Sequence, residues 1–435
     1  MSENWPVKPL AEVANFHSGF AFPEVFQGQQ EGELPFFKVS DMSREGNERR
    51  LCSANNYVSR QLAEKLNWKP APEGGIAFAK VGAALLLNRR RELGQDSLFD
   101  NNVVAVSAKA DVSDQWLYWQ LLTVDFADFV QVGALPSINQ QQLGVLPIPV
   151  PATREQKKIA QILDTLDTQI RQTEALIAKL ERIKQGLLTD LLTRGIDQNG
   201  QLRSTPDQAP QLYKESPLGR IPREWEVTPL GRLSEIVSGV TLGGASPGLS
   251  AKLVPYLRVA NVQDGYLDLS EIKYIRVTAS DAEKYRLQDG DVLMNEGGDY
   301  DKLGRGTVWR NEIADCVHQN HVFRVRPDPS VLLSDYLAAY CASPGGKTYF
   351  LRSSKQSTNL ASINSTQLKA FPIPLAPIHE QHTVNSVLYG MNVRLKSENC
   401  SLSKLMTQKM GLMDDLLTGR VRVTPLLETA ELAHG

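Results

Sequence analysis

Two stretches of this 435-residue chain repeat one another, and that repeat narrows the folds open to it. Trp5-Pro-Val-Lys-Pro-Leu10 and Ser18-Gly19 return 220 residues later as Trp225-Glu-Val-Thr-Pro-Leu230 and Ser238-Gly239. Pro35-Phe-Phe-Lys-Val39 returns at the same offset as Pro255-Tyr-Leu-Arg-Val259. Further on the offset is 225. Ile138-Asn139, Leu143 and Pro147-Ile-Pro149 become Ile363-Asn364, Leu368 and Pro372-Ile-Pro374. Glu155-Gln156, Gly186-Leu187 and Asp190-Leu-Leu-Thr193 become Glu380-Gln381, Gly411-Leu412 and Asp415-Leu-Leu-Thr418. The chain therefore holds two like halves, each long enough for its own core.

Each half opens with short alternating apolar runs, at Phe36–Val39, Ile76–Phe78 and Val103–Val106, then at Tyr256–Val259, Val292–Met294 and His321–Val325. Helix-like stretches follow near Trp116–Phe126 and Ser334–Cys341, which predicts an α+β domain in each half. Both domains leave through prolines, Leu146-Pro-Ile-Pro-Val-Pro-Ala152 and Phe371-Pro-Ile-Pro-Leu-Ala-Pro377. Proline fixes φ and extends its predecessor, so the exit is a stiff strut. Glu155-Gln156 and Glu380-Gln381 come next, where an acid suits the positive end of a helix.

Apolar residues then recur at three- and four-residue steps: Ile159, Ile162, Leu166, Ile170, Ile177, Leu180, Leu187 and Leu191. Val384, Val387, Met391, Leu395, Leu402, Leu405, Leu412 and Leu416 occupy the matching places. A helix over 155–191 would span about 55 Å. So narrow a stripe seeks another helix, and each copy has the other as an antiparallel partner. Arg194-Gly195 marks a helix stop. The predicted division is 1–152 and 223–377 for the domains, 153–196 and 378–422 for the helices, 197–222 for a surface linker, and 423–435 for a loose tail.

No run of eighteen apolar residues is present, so no membrane span is expected, and the N-terminal residues do not read as a secretory signal. Cys52, Cys316, Cys341 and Cys400 are scattered and read as reduced cytoplasmic thiols. Apparent catalytic signatures dissolve. Gly345-Gly-Lys-Thr348 ends like a phosphate loop, but Cys341 stands where the first glycine belongs. His379-Glu-Gln-His382 lacks zinc-protease spacing, and His318-Gln-Asn-His321 has no third ligand nearby. The chain reads as non-catalytic and binds no cofactor of its own.

What remains are polar, basic segments. Asn88-Arg-Arg-Arg91 can fork to guanine edges or phosphate, and a solvated loop explains it equally well. Gly297-Gly298 through Lys302, Arg305 and Arg310 forms a second, and Ser353 to Asn359, with Lys355 and Gln356, a third. Gln319 and Asn320 suit adenine edges or a turn. A duplicated chain suits a two-fold partner such as a bipartite DNA site. The formal charge of −2 argues the other way, since DNA-binding domains are usually basic.

Two diverged domains, each closing on Pro-Ile-Pro, then Glu-Gln, then a long helix ending Asp-Leu-Leu-Thr, resemble the specificity subunit of type I restriction-modification enzymes. Leu218-Gly-Arg-Ile-Pro-Arg-Glu-Trp225, Gly290-Asp-Val-Leu-Met294 and Leu417-Thr-Gly-Arg-Val421 fit the same pattern, and the likeness covers residues 5–423. It implies two target-recognition domains, each reading one half of an asymmetric double-stranded DNA site. Between them, a helix pair sets the spacing and docks two methyltransferase subunits, and ATP-driven restriction subunits join. S-adenosylmethionine, ATP and magnesium would sit on those partners, whose grip on the duplex would supply the missing positive charge. On this reading Lys80, Arg89, Arg90 and Arg91 serve the first half-site. Lys302, Arg305, Arg310, Lys355 and Gln356 serve the second. Ile159, Ile162, Leu166, Ile170, Leu180, Leu187, Val384, Val387, Met391, Leu395, Leu405 and Leu412 form the subunit or helix-pair interface. Two other classes stay open: a solitary DNA-modifying enzyme, which would bind S-adenosylmethionine alone, and a repeat scaffold that binds proteins and no DNA.

Overall fold

A computed structural model describes residues 5–130, 136–241, 251–298, 303–304, 306–356 and 361–428, with the backbone alone at 298, 355 and 356. It forms two compact units, residues 1–174 with 400–435, and residues 175–399. Each unit thus takes a domain together with part of both long helices.

In the first unit, Val7–Pro9 pairs antiparallel with the exit strand Pro147–Pro149. Proline is tolerated there because a two-stranded ribbon has open edges that need no amide donor. The main sheet has five strands in the order Ala14–Ser18, Val103–Ala108, Ile76–Ala79, Arg90–Leu93 and Arg50–Leu51. Strand alternation divides Val103–Ala108 between two cores. Val104 and Val106 face Trp116, Leu117 and Trp119 of the helix Asp114–Leu122, whereas Val103 and Ala105 join Phe37 and Phe99. A three-stranded sheet, Tyr57–Val58, Leu34–Phe37 and Leu98–Phe99, completes the domain.

The second unit repeats this plan with one strand fewer in its main sheet among the described residues. Glu226–Pro229 pairs with Pro372–Leu375. The main sheet runs Ser234–Ser238, Val322–Pro327, Val292–Asn295, Gly306–Val308 among the described residues. A second sheet joins Lys273–Val277, Lys252–Leu257 and Val317–His318. The phosphate-loop look-alike is a helix break. Ser334–Ala342 ends, Pro344 opens the helix Pro344–Ser353, and Ser343 Oγ accepts the Gly346 amide.

The long helices are Thr153–Thr193 and Ile378–Leu417. Ile159 and Leu163 share the first unit's core with Leu416 and Leu417, and Leu188, Leu191 and Leu192 share the second's with Val384, Leu388 and Trp225. Of the interface residues expected from periodicity, Ile159, Leu166, Ile170, Leu180 and Val384 are buried, and Ile162, Leu187, Met391, Leu395, Leu405 and Leu412 are partly so. Val387 is 40% exposed, because the inward stripe runs through Val384 and Leu388 and leaves Val387 on its margin. Residues 197–222 are more than a surface linker. They carry the hairpin Tyr213–Ser216 with Gly219–Pro222 and bury Ala209, Tyr213 and Ile221. Among the described residues no helix is long and apolar enough to cross a membrane.

Candidate nucleic-acid interface

The recurring Glu-Gln pair anchors each domain to a long helix. In the first unit the buried Glu155 accepts Arg422 Nε on Oε1 and Arg422 Nη2 on Oε2, both at 2.9 Å, and Thr424 Oγ1 donates to it at 3.1 Å. Gln156 accepts the Ser113 amide at 2.8 Å and donates to the Pro151 carbonyl at 2.9 Å. In the second unit Glu380 accepts Arg203 Nη1 at 2.5 Å, Trp225 Nε1 at 3.0 Å and the Ile196 amide at 2.7 Å. Gln381 accepts the Leu333 amide at 2.9 Å and donates to the Ala376 carbonyl at 2.8 Å. Burial alone would raise the Glu155 pKa, but Arg422 and Thr424 outweigh it and hold the carboxyl below its ordinary range. Gly195, at φ +65°, lets the chain turn beside this cluster; a Cβ there would lie 2.0 Å from Glu380 Oε1.

Above these anchors the two domains share a backbone frame and differ in what it presents. Lys80 donates its amide to the Asn102 carbonyl at 2.9 Å and accepts from Ile138 N at 3.0 Å. Glu296 does the same with the His321 carbonyl at 2.9 Å and Ile363 N at 2.8 Å. Next to each node a glycine abuts the facing strand. A Cβ on Gly19 would meet Asp100 O at 1.7 Å, and one on Gly239 would meet His318 O at 2.0 Å. So a lysine beside the exposed Asn101 and Asn102 in one domain is matched in the other by a carboxylate, with His321 Nδ1 2.6 Å from Glu296 Oε2. Strands Gly297–Gly298 and Lys355–Gln356 both pair with Ala361–Ser362, which brings these four residues of the second and third polar segments onto one small sheet.

The basic triplet is not a loop. A turn of helix, Ala83–Leu86, precedes it, and Arg90–Leu93 is a strand of the main sheet. Arg90 is therefore corrected from a surface contact to a core residue. It is 1% exposed, donates to the Asn88 carbonyl at 2.6 Å and to the Val124 carbonyl, and lies 3.9 Å over the Phe126 ring. Burial pushes its pKa down to about 10. Arg91 is half-buried and donates to the Met42 carbonyl at 3.1 Å. Arg89, also half-buried, reaches Ser43 Oγ. Arg310 is held by Asp335 through contacts of 2.5 and 2.6 Å. Lys302 and Arg305 lie outside the described residues, as do the side chains of Lys355 and Gln356.

One cluster has no signature in the sequence. Arg49 Nε donates to Glu92 Oε2 and Nη1 to Asp167 Oδ2, both at 3.0 Å, while Nη2 reaches Asp164 Oδ1. Its guanidinium lies 5.1 Å from the Tyr118 ring centre and 5.2 Å from that of Trp119. Trp119 Nε1 donates to Asp164 Oδ1 at 2.9 Å, and Lys409 Nζ to Asp167 Oδ1 at 2.5 Å. The partners are 43 to 118 residues from Arg49 in sequence, so no local pattern reveals them.

The histidines do not gather a metal site. His318 is fully buried. Its Nδ1 lies 2.7 Å from the Val322 carbonyl, which can only accept, and its Nε2 has no partner among the described residues. Burial pushes its pKa down to about 4. Among the described residues no group of three His, Cys, Asp or Glu is placed to hold a metal ion.

The family model described as "Type I restriction modification DNA specificity domain" matches residues 2–182 and 222–389. The Type I restriction enzyme EcoBI specificity subunit of Escherichia coli is 24% identical over 400 residues, covering 88% of this chain and 78% of that one. The putative type I restriction enzyme MjaX specificity subunit of Methanocaldococcus jannaschii is 27% identical over 213 residues, 47% of this chain, and the match spans 48% of that protein's length. The crystal structure of the type I restriction-modification system S subunit from M. genitalium superposes with a TM-score of 0.56 at 12% identity, over 96% of this chain and 97% of that one. The fold shared with it is two α+β domains, each built together with parts of two long helices. The chain belongs to the type I restriction-modification DNA specificity family.

Proposed function

We propose that each compact unit of this specificity subunit reads one half of a split, asymmetric double-stranded DNA target. Family membership gives the chain the addressing role, without an active site of its own. The helix pair fixes the gap between the half-sites, near one DNA turn of about 34 Å. It also docks two methyltransferase subunits, and restriction subunits join the assembly. S-adenosylmethionine, ATP and magnesium belong on those partners, and the partners supply much of the attraction for phosphate that a chain of net charge −2 lacks.

One observation carries the reading: Lys80 and Glu296 hang on matching amide and carbonyl bonds yet present opposite charges. A shared frame with divergent tips is what two readers of different sequences require. An ammonium suits guanine O6/N7 or phosphate, whereas a carboxylate accepts from cytosine N4. Arg89 accompanies Lys80 in the first domain, and Lys302, Arg305, Arg310, Lys355 and Gln356 accompany Glu296 in the second. Arg90, held in the core, drops out of the set.

The test is co-expression with a modification subunit of the same system, followed by mapping of methylated adenines. Replacing residues 1–150 by those of another family member should change one half of the target only. Glu296→Gln should relax one position in the other half. Change in both halves from the domain exchange would overturn the assignment.

A further inference from the structure

The Glu155–Gln156 and Glu380–Gln381 anchors are alike, but among the described residues only the first unit carries a second one. It is the Arg49 cluster, which joins the edge of the main sheet to Asp164 and Asp167 on one long helix and, through Asp167, to Lys409 on the other. Arg49 is 13% exposed and its charge is matched by carboxylates, so the contact is specific in geometry as well as in sign. Asp164 and Asp167 lie 8 to 12 residues beyond the Glu155–Gln156 anchor, roughly 12–18 Å along the helix axis. Both domains also bury side chains of the two long helices in their cores, and in the first unit a second polar contact at that distance stiffens the domain against tilting about the first.

In the second unit the central arginine, both aromatic rings and both helix carboxylates are gone. At the repeat offsets Arg49 becomes Leu269, Tyr118 and Trp119 become Ala338 and Ala339, Asp164 becomes Tyr389 and Asp167 becomes Asn392, while Glu92 and Lys409 return as Glu312 and Lys184. Tyr389 is 71% exposed. The strand Arg50–Leu51, which Arg49 precedes, has no counterpart among the described strands of the second main sheet. There, among the described residues, the Arg203–Glu380 clamp is the one ion pair between the domain side and the start of the long helix.

We propose that Arg49 is a positioning residue that locks the first recognition domain to the helix pair, so that the first half-site is read in fixed register and adaptation to gap length resides in the second domain. This rests on the bipartite reading above. Adding one base pair to the gap displaces a half-site by about 3.4 Å and turns it by about a tenth of a DNA turn, a change that the domain with fewer polar fixings to the helices follows more readily.

The experiment uses the full chain assembled with its methyltransferase subunits and a DNA library in which the wild-type half-sites stand at the native gap and at gaps one base pair shorter and longer. Arg49→Met should raise adenine methylation at the altered gaps about tenfold relative to the native gap, leaving both half-site sequences unchanged. Arg49→Lys, which keeps the charge and loses the three-way fork, should fall between. Should Arg49→Met fail to accumulate as folded protein, Asp164→Asn removes the charge of one carboxylate that Arg49 grips on the helix and is scored the same way. Unchanged gap selectivity in folded, active variants overturns the anchor. A changed first half-site also overturns it, by placing Arg49 on the reading surface. A wild-type complex that methylates no split site overturns the DNA-reading proposal itself, and is distinguishable from either result.

Discussion

Arg422 lays two nitrogens of its guanidinium on Glu155, each 2.9 Å from a carboxylate oxygen, across 267 residues of sequence. The pair fastens the start of one long helix to the segment just beyond the end of the other, inside a single compact unit. Breaking it strands a buried carboxylate. Arg422→Met should therefore lower the unfolding free energy by about 2–3 kcal/mol, less than for a fully buried pair because Arg422 is 29% exposed. Urea denaturation monitored by Trp fluorescence measures it.

Glycine substitutions should separate two similar helix ends. Gly195→Ala forces a side chain into a left-handed backbone, φ +65°, and into the Glu380, Trp225 and Arg203 atoms of the second clamp. Gly419→Ala, at φ +73°, meets its nearest neighbour, Trp5, at 3.1 Å. The first should cost more than ~2 kcal/mol and the second about 1 kcal/mol, read as a difference in thermal midpoints.

Neighbouring arginines should behave oppositely. Arg90→Met leaves the Val124 carbonyl unpaired in the core and should destabilise by about 2 kcal/mol. Arg89→Ala should stay within ~0.5 kcal/mol of the parent and instead weaken methylation at one half-site. A folding measurement and a methylation map on both variants decide the matter.

Acid should loosen the second unit before the first. His318 stays neutral in the fold with its pKa lowered to about 4. The unfolded chain therefore binds a proton that the folded one does not, and stability is lost as pH falls from about 6.5 toward 4, by on the order of 2–3 kcal/mol. Glu155 and Asp167 in the first unit are held below their ordinary range, against the burial that would raise them, by Arg422 and by Lys409 with Arg49. Their contribution is complete above the unfolded carboxylate range and vanishes only below about pH 4. His318→Asn, which retains an amide donor for Val322, should flatten the pH dependence between 6.5 and 4 in hydrogen exchange of Val322–Pro327.

Periodicity and repetition made the long helices and the proline exits readable, because a 3.6-residue stripe and a fixed φ are local properties. The close backbone approaches at Gly19 and Gly239 recur for the same kind of reason: the facing carbonyl leaves no room for a Cβ. Arg90 was not readable. Its burial follows from strand alternation beside Phe126, and a run of three arginines looks polar whichever way the strand faces. Glu155 and Glu380 stood out only as helix-start acids, since Arg422 and Arg203 reach them from 267 and 177 residues away. Arg49 was invisible for the same reason, and residues 197–222 hid a hairpin behind a linker-like composition.

Lys80 and Glu296 are joined to their domains by backbone bonds, and those bonds are indifferent to the side chain attached. Exchange at such a position spares the fold. On the proposed reading, a lineage can therefore acquire a new address by single substitutions while inheriting its architecture intact, and recognition can drift faster than the scaffold that carries it.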